Sequence, residues 1–235
     1  MPTTVANSRP DLTRSDVGIV KVSTWDVGSP EGQAAAVAAI GKAWLSRDWP
    51  DVGLLSYSVY TGEDGRTLLH YSQWRDEEAH RAFAARGRDE RNTEIDAAVP
   101  GVRRLGLRAY ELYRSHVAEG DDRLPGCIAL IEVDFDGPDR KRAREWVDTV
   151  FDALDGPRGE TDGGISAHFH VSADGARALN YAEWVDAASH LAMVNAPAAA
   201  GDELPAEWRR VHRFPGLAGS LVRRFTPALS LGAGV

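Results

Sequence analysis

The chain contains one sequence pattern twice. The segment Tyr71–Trp74, with sequence YSQW, is followed six residues later by His80, and the segment Tyr181–Trp184, with sequence YAEW, is followed six residues later by His190. The two segments start 110 residues apart (71 to 181), which is close to half of the 235-residue chain. Solenoid repeats have periods of about 20–50 residues, so a period this long predicts two whole domains in tandem.

Glycine and proline positions outside the pattern repeat as well. Gly18 recurs as Gly126, 108 residues later, and Pro100 recurs as Pro215, 115 residues later. The drift from 108 to 115 is typical of small loop insertions, the largest of which we place in Ala196–Pro205. The predicted organisation is a disordered tail at 1–16, a first domain at 17–115, a linker at 116–125, a second domain at 126–229 and a second tail at 230–235.

Composition excludes several classes of protein. The net charge is −8, which argues against a nucleic-acid surface. No apolar run reaches the length of a membrane span, and the first sixteen residues lack the apolar core of a signal peptide. Cys127 is the single cysteine, so no disulfide can form within the chain. These features predict a cytoplasmic protein that does not bind membranes.

The same order of elements is expected in each half. Short β-branched runs predict strands, apolar residues at helical spacing predict helices, and Asp76 is expected to cap the helix that follows it. The order β-α-β-β-α-β is ferredoxin-like, so the expected class is α+β. Helices cover one face of such a sheet and the other must be buried, so we expect two ferredoxin-like halves packed sheet to sheet as a pseudo-dimeric α/β barrel. The expected strands are 17–24, 54–60, 67–74, 102–113, 128–135, 165–171, 176–184 and 220–226, and the expected helices are 34–45, 76–85, 88–99 and 139–154.

Polar side chains at alternate strand positions suggest a ligand site. Strand alternation puts Asn180 on the same face as Trp184, and His70 on the same face as Trp74. If the neighbouring hairpin strand faces the same way, further polar groups converge with them, as is usual for a small-molecule site. The substrate-binding candidates are His168 and His170 in the second half, with His70, Trp74, His80, Ser58 and Tyr60 in the first.

These residues resemble the antibiotic biosynthesis monooxygenase superfamily with its dimeric α/β-barrel fold. Its anthrone oxygenases have an Asn four residues before the motif Trp and a Tyr six residues after it. Asn180 and Trp184 match that pattern, while His190 stands at the Tyr position. In the first half Trp74 matches, but His70 and His80 replace the Asn and the Tyr. The departures suggest that the two halves differ or that only one is catalytic, and the tandem arrangement is similar to angucycline ring-opening oxygenases.

The resemblance implies an oxygenase that uses O2 on a polycyclic aromatic, polyketide-type substrate, by hydroxylation, quinone formation or ring cleavage. An electron-rich anion can pass an electron to O2 directly, so no covalently bound cofactor is needed. Histidine titrates near working pH, so His190 or His80 could be the base that forms this anion. Asn180 can hydrogen-bond a substrate carbonyl, and Trp184 can stack on a ring or donate its indole N–H. The alternative oxygen activator is a reduced flavin, FMNH2 or FADH2, delivered by a partner flavin reductase.

Other interpretations of the same residues stay open. Both motif tryptophans could be core anchors, and Asn180 could satisfy loop backbone. His168 and His170 alternate as two metal ligands would, but no third ligand lies at a diagnostic spacing, so no metal is expected. A haem-degrading enzyme would need a different Asn/Trp/His spacing. A non-catalytic small-molecule binding protein of the same fold is the alternative function, and self-association into a homo-oligomer is left open.

Overall fold

The computed structural model describes residues 2–7, 9–50, 52–117, 120–155, 163–200 and 204–234, without the side chains of 196–200. Two compact units divide the chain: Met1–Tyr110 with Phe225–Val235, and Glu111–Arg224. No helix of the described part is long and apolar enough to cross a membrane. The strands are β1 (Thr4–Ala6), β2 (Ile19–Asp26), β3 (Leu54–Gly62), β4 (Thr67–Trp74), β5 (Arg103–Val117), β6 (Cys127–Phe135), β7 (Gly164–Ser172), β8 (Arg177–Trp184) and β9 (Leu217–Ala233). The helices are α1 (Pro30–Leu45), α2 (Glu77–Arg86), α3 (Arg88–Ala98), α4 (Arg140–Leu154), α5 (Ala187–Ala200) and α6 (Ala206–His212).

The first unit follows the expected ferredoxin-like order. The central strands β3, β4 and β2 lie in that order, and the first part of β5 pairs with β2. The helices α1 and α2 are capped at their N-termini by Ser29 and Asp76, whose side chains accept from the backbone N–H groups of Gly32 and Ala79. The cap predicted at Asp76 is therefore confirmed. Buried aromatic and aliphatic residues of α1, α2 and the strands form the core on the helix side of this sheet.

The second unit repeats the order with β6, α4, β7, β8 and α5. Its strands lie in the order β5, β7, β8, β6, and the first part of β9 completes the set beside β6. Asp139 caps α4 by accepting from the N–H groups of Lys141 and Arg142. The apolar stripe of α4, which includes Val147 and Phe151, packs on the sheet to form the core of this unit. The α+β class and the β-α-β-β-α-β order of each half are confirmed.

The two chain ends differ from the expectation of disordered tails. Strand β1 pairs with the end of β9, with Thr4 opposite Ala233 and Ala6 opposite Leu231. The sequence Thr-Val-Ala is short but β-branched, and an open strand edge offers it backbone partners. The tail expected at 230–235 is strand up to Ala233. Of the insertion placed in Ala196–Pro205, residues 196–200 belong to α5 and residues 201–203 lie outside the described residues.

Candidate functional site

The register of the second sheet separates the predicted site residues into two groups. His168 lies opposite Tyr181 and His170 opposite Leu179, so both histidines share a face with Tyr181. Asn180 is the neighbour of Tyr181 in sequence and therefore points to the opposite face, as Trp184 does. The expectation that these histidines join Asn180 and Trp184 is wrong. Alternation fixes the faces within one strand, but the phase between the two strands of a hairpin depends on the turn that joins them, and from that turn the pairing runs without interruption past His170 and His168.

The first unit shows the same separation. Ser58 lies opposite Tyr71 and Tyr60 opposite Leu69, so both lie on the face away from His70 and Trp74. Ser58 is fully buried, and its hydroxyl oxygen is 3.0 Å from that of Ser230. The prediction that Ser58 and Tyr60 line a space with His70 and Trp74 is therefore wrong as well.

His168 and His170 belong to a buried polar face of the second unit, the face opposite to that of Asn180. The Ser166 hydroxyl donates to Glu183 at 2.7 Å and lies 3.0 Å from Nε2 of His168, and Nδ1 of His168 lies 2.9 Å from the Ser115 hydroxyl. Burial lowers the pKa of His170 from 6.5 to about 3, with the charge of His168 as the next cause. His170 is therefore neutral at working pH and contributes packing and hydrogen bonding on this face.

The helix-covered face of the second sheet has a flat, apolar centre between two polar side chains. On β8, Ala182 lies between Asn180 and Trp184 on that face. Across the sheet, Ala182 is opposite Ala129 on β6 and Ala167 on β7. We call Ala129, Ala182 and Ala167 the alanine floor. No side chain of this row extends beyond Cβ, so the sheet surface is low across three strands here. The Asn180 amide and the Trp184 indole flank the row on its two sides along β8, and Ala187 and Met193 of α5 pack against the same cluster.

Both polar groups beside the alanine floor have unused hydrogen-bonding capacity. Asn180 Oδ1 and Trp184 Nε1 are buried, and neither has a hydrogen-bond partner among the described residues. A buried polar atom without a partner costs about 1–3 kcal/mol, so two of them on one face need an explanation. Asn180 Oδ1 is an acceptor that can bind a ligand hydroxyl, and Trp184 Nε1 is a donor that can bind a ligand carbonyl.

His190 lies beside Trp184. It belongs to α5, is 2% exposed, and its ring centroid is 5.1 Å from that of Trp184, with the two ring planes at 71°. Ala187 and Met193 of the same helix pack against the cluster that contains Trp184. The structure therefore places Asn180 and Trp184 on one face of β8 and His190 against Trp184; a catalytic role for the three residues stays a prediction.

The matching face of the first unit carries larger side chains, and its motif tryptophan is hydrogen-bonded, although Nε2 of His70 and Nδ1 of His80 are buried without a hydrogen-bond partner among the described residues. The row that corresponds to the alanine floor is Lys21, Ser72 and Tyr57. The Ser72 hydroxyl accepts from Trp74 Nε1 at 2.9 Å, and the Tyr57 hydroxyl lies 2.7 Å from Nδ1 of His70. The same hydrogen bonds cannot form in the second unit, because alanines replace Ser72 and Tyr57 there.

Aromatic packing closes the space around the histidines of the first unit. The Trp25 ring lies 4.1 Å from the His70 ring, and burial lowers the pKa of His70 from 6.5 to about 3. His80 packs edge-on against Trp74 at 5.1 Å. Its pKa is lowered by burial and by the charge of Lys21. His190 packs on Trp184 in the same way. The second unit is the better candidate site because alanines stand there in place of Ser72 and Tyr57, so that the hydrogen bonds these two residues make in the first unit are absent.

Comparison with known proteins supports the fold. No protein-family model matches the chain, and no curated protein matches it. A protein described as anthrone oxidase-like matches 99% of this chain and 97% of its own, with a TM-score of 0.62 and 16% identity. A candidate monooxygenase from Fusobacterium nucleatum subsp. nucleatum ATCC 25586 matches 94% of this chain and 98% of its own, with a TM-score of 0.58 and 12% identity. A candidate monooxygenase from Lactobacillus acidophilus NCFM matches 92% of this chain and 96% of its own, with a TM-score of 0.57 and 8% identity. At these identities the likeness shows the fold, and it confirms at that level the resemblance inferred from the sequence.

Proposed function

We propose that this protein is an oxygenase that binds a polycyclic aromatic, polyketide-type substrate on the helix-covered face of the second unit. The observation that carries the proposal is the alanine floor between a buried acceptor and a buried donor, Asn180 Oδ1 and Trp184 Nε1, which lack partners among the described residues. The fold shared with an anthrone oxidase-like protein supports the choice of substrate class.

The floor suits a flat molecule. A fused aromatic ring system can lie on the row of Cβ atoms and make van der Waals contact with all three strands. The indole N–H of Trp184 would donate to a ring oxygen of the substrate, and the Asn180 amide would hydrogen-bond a second oxygen. A donor aimed at an oxygen that becomes more negative during the reaction stabilises the transition state more than the ground state.

The proposed reaction begins with loss of a proton. A base removes a proton from the ring methylene or phenol of the substrate, and His190 is the candidate because it adjoins Trp184. The anion passes one electron to O2, the two radicals combine, and the peroxide loses water. For an anthrone, both hydrogens of the ring methylene leave in that water with one oxygen atom of O2, while the other oxygen atom becomes the new carbonyl oxygen. O2 is therefore the only co-reactant required for quinone formation, and a ring cleavage that keeps both oxygen atoms in the product balances in the same way. A net hydroxylation also needs two electrons to reduce the second oxygen atom to water, which a reduced flavin would supply.

A diffusible reduced flavin is the alternative oxygen activator. It would be supplied by a separate flavin reductase and would leave the substrate-binding role of Asn180 and Trp184 unchanged. The two routes predict different requirements in the same assay. Turnover in air without flavin supports the direct route, and turnover only with added FMNH2 or FADH2 supports the flavin route.

The experiment is oxygen uptake by the purified protein with a hydroxylated anthrone. Asn180→Ala and Trp184→Phe should each lower turnover, by about 10²–10³-fold for a lost transition-state donor. The matched variants His70→Ala and Trp74→Phe change the same positions of the first unit and should leave turnover unchanged. Equal losses from all four variants would contradict the assignment to the second unit. Tight binding without turnover under either condition would identify a binding protein instead.

A further inference from the structure

A second candidate site lies in the first unit, away from the alanine floor. A cleft of about 800 Å³ opens where α1 ends, and residues of α2 and the start of α3 form its other side. This volume falls in the range of small-molecule sites. Apolar contacts come from Trp49, Val52 and Phe83, and the polar lining includes Arg86 and Arg91.

Arg91 is the unusual member of this lining. Its side chain is 7% exposed, although arginine is almost never buried without a partner. Its guanidinium carbon lies 4.5 Å from the ring centroid of Trp44 and 5.7 Å from that of Phe83. One nitrogen, Nη1, donates to the backbone carbonyl of Gly87 at 2.8 Å, while Nε is buried without a hydrogen-bond partner among the described residues.

The nearby acidic residues do not neutralise Arg91. Glu94 forms an ion pair with Arg47, so its charge is already matched. Asp48 lines the cleft, but within the described part of the chain no carboxylate forms an ion pair with Arg91. Burial lowers the pKa of the Arg91 guanidinium and the charge of Arg47 lowers it further, while the charges of Glu90 and Glu94 only partly oppose this shift. A buried cation in this position favours binding of an anion that would complete its hydrogen bonds.

We propose that the cleft binds an aromatic carboxylate, with the carboxylate on Arg91 and the ring between Trp49 and Phe83. A guanidinium presents its N–H groups as a planar fork that matches the two oxygens of a carboxylate. The aromatic and aliphatic lining favours an anion attached to a ring over a free inorganic anion. The proposal does not depend on the oxygenase function, because it uses residues of the first unit alone.

The test compares 2-naphthoate with its neutral analogue 2-naphthamide by isothermal titration calorimetry on the full chain. The wild-type protein should bind naphthoate about ten- to a hundredfold more tightly, the effect of one or two charge-assisted hydrogen bonds. Arg91→Met keeps the apolar stem and should remove this preference. Arg88→Met, at an exposed position of the same helix, is the matched control and should keep it.

Three results would overturn the proposal. These are equal affinity of the wild-type protein for the two compounds, no binding of naphthoate, and an undiminished preference in Arg91→Met. The comparison of the two compounds on the wild-type protein needs no variant, so it decides the question even if Arg91→Met does not fold. A titration with inorganic phosphate provides the last arm. Phosphate binding as tight as naphthoate binding would contradict the role given to Trp49 and Phe83.

Discussion

Replacing Ala182 with serine would give the second unit the residue that the first unit has at the matching position. In the first unit, Trp74 Nε1 donates to the Ser72 hydroxyl at 2.9 Å. Ala182 stands in the same relation to Trp184, two residues before it on the same strand face. The hydroxyl introduced by Ala182→Ser should therefore accept from Trp184 Nε1 and take that N–H away from the substrate.

The expected gain in stability and the expected loss of turnover both follow from that single hydrogen bond. A typical intramolecular hydrogen bond contributes about 0.5–1.5 kcal/mol net. In a chain of this length, 1 kcal/mol raises the unfolding midpoint by about 2–4 °C. Loss of one donor to the reacting oxygen lowers turnover by up to about 10²–10³-fold. Ala182→Ser should therefore be more stable and less active than the wild-type protein.

The reciprocal variant Ser72→Ala is the control. It leaves the buried N–H of Trp74 without its partner and should lower the free energy of unfolding by about 1–3 kcal/mol. Turnover should stay unchanged, because the first unit is not the proposed site. Thermal unfolding and oxygen uptake are measured on both variants. Full turnover of Ala182→Ser at unchanged stability, or loss of turnover in Ser72→Ala, would contradict the role given to Trp184 Nε1.

Three further predictions follow from the same contacts. Ala167→Tyr, which installs the residue found at position 57, should fill the alanine floor and abolish oxygen uptake with a hydroxylated anthrone, whereas full activity would place the substrate elsewhere. Burial holds the folded-state pKa of His70 at about 3 instead of 6.5, so the unfolded chain takes up the proton first and stability should fall as the pH drops from about 6.5 towards 3. The free energy of unfolding, measured with urea at a series of pH values, should depend less steeply on pH over that range in His70→Asn. Hydrogen bonds from Arg66 and Arg103 hold the pKa of Asp26 at about 2 instead of 3.8, so the stability it contributes is present above pH 4 and lost as the pH falls towards 2; Asp26→Asn should be less stable at neutral pH and lose that acid-induced change.

The repeat in the sequence predicts most of the fold. Matching glycines, prolines and motif tryptophans give two halves of the same element order, and strand alternation places Asn180 and Trp184 on one face. The hydrogen-bonding propensity of Asp76 predicts its cap. These features are local, so a single sequence determines them without knowledge of which strands become neighbours.

The pairing between strands could not be predicted in the same way. His168 and Ser58 lie on the faces opposite to those expected, because the register of a hairpin depends on the geometry of its turn. Strand β1 was missed because three residues carry too little periodicity to distinguish them from a tail.

The alanine floor was missed for a different reason. Alanines carry no reactive group, so a search for titratable or nucleophilic side chains passes over them. A signal is nevertheless present in the repeat, because position-by-position comparison of the halves sets Ala167 against Tyr57 and Ala182 against Ser72. Small residues in one copy, opposite large or polar residues in the other, indicate which half has space for a ligand.

The most direct test of the proposed site is a crystal structure of the protein with a hydroxylated anthrone bound under anaerobic conditions. The ring system should lie on Ala129, Ala182 and Ala167, with one of its oxygens about 2.7–3.2 Å from Trp184 Nε1 and another within the same distance of the Asn180 amide. Density for the compound beside Tyr57 and Ser72 in the first unit, with Trp184 Nε1 uncontacted, would contradict the account.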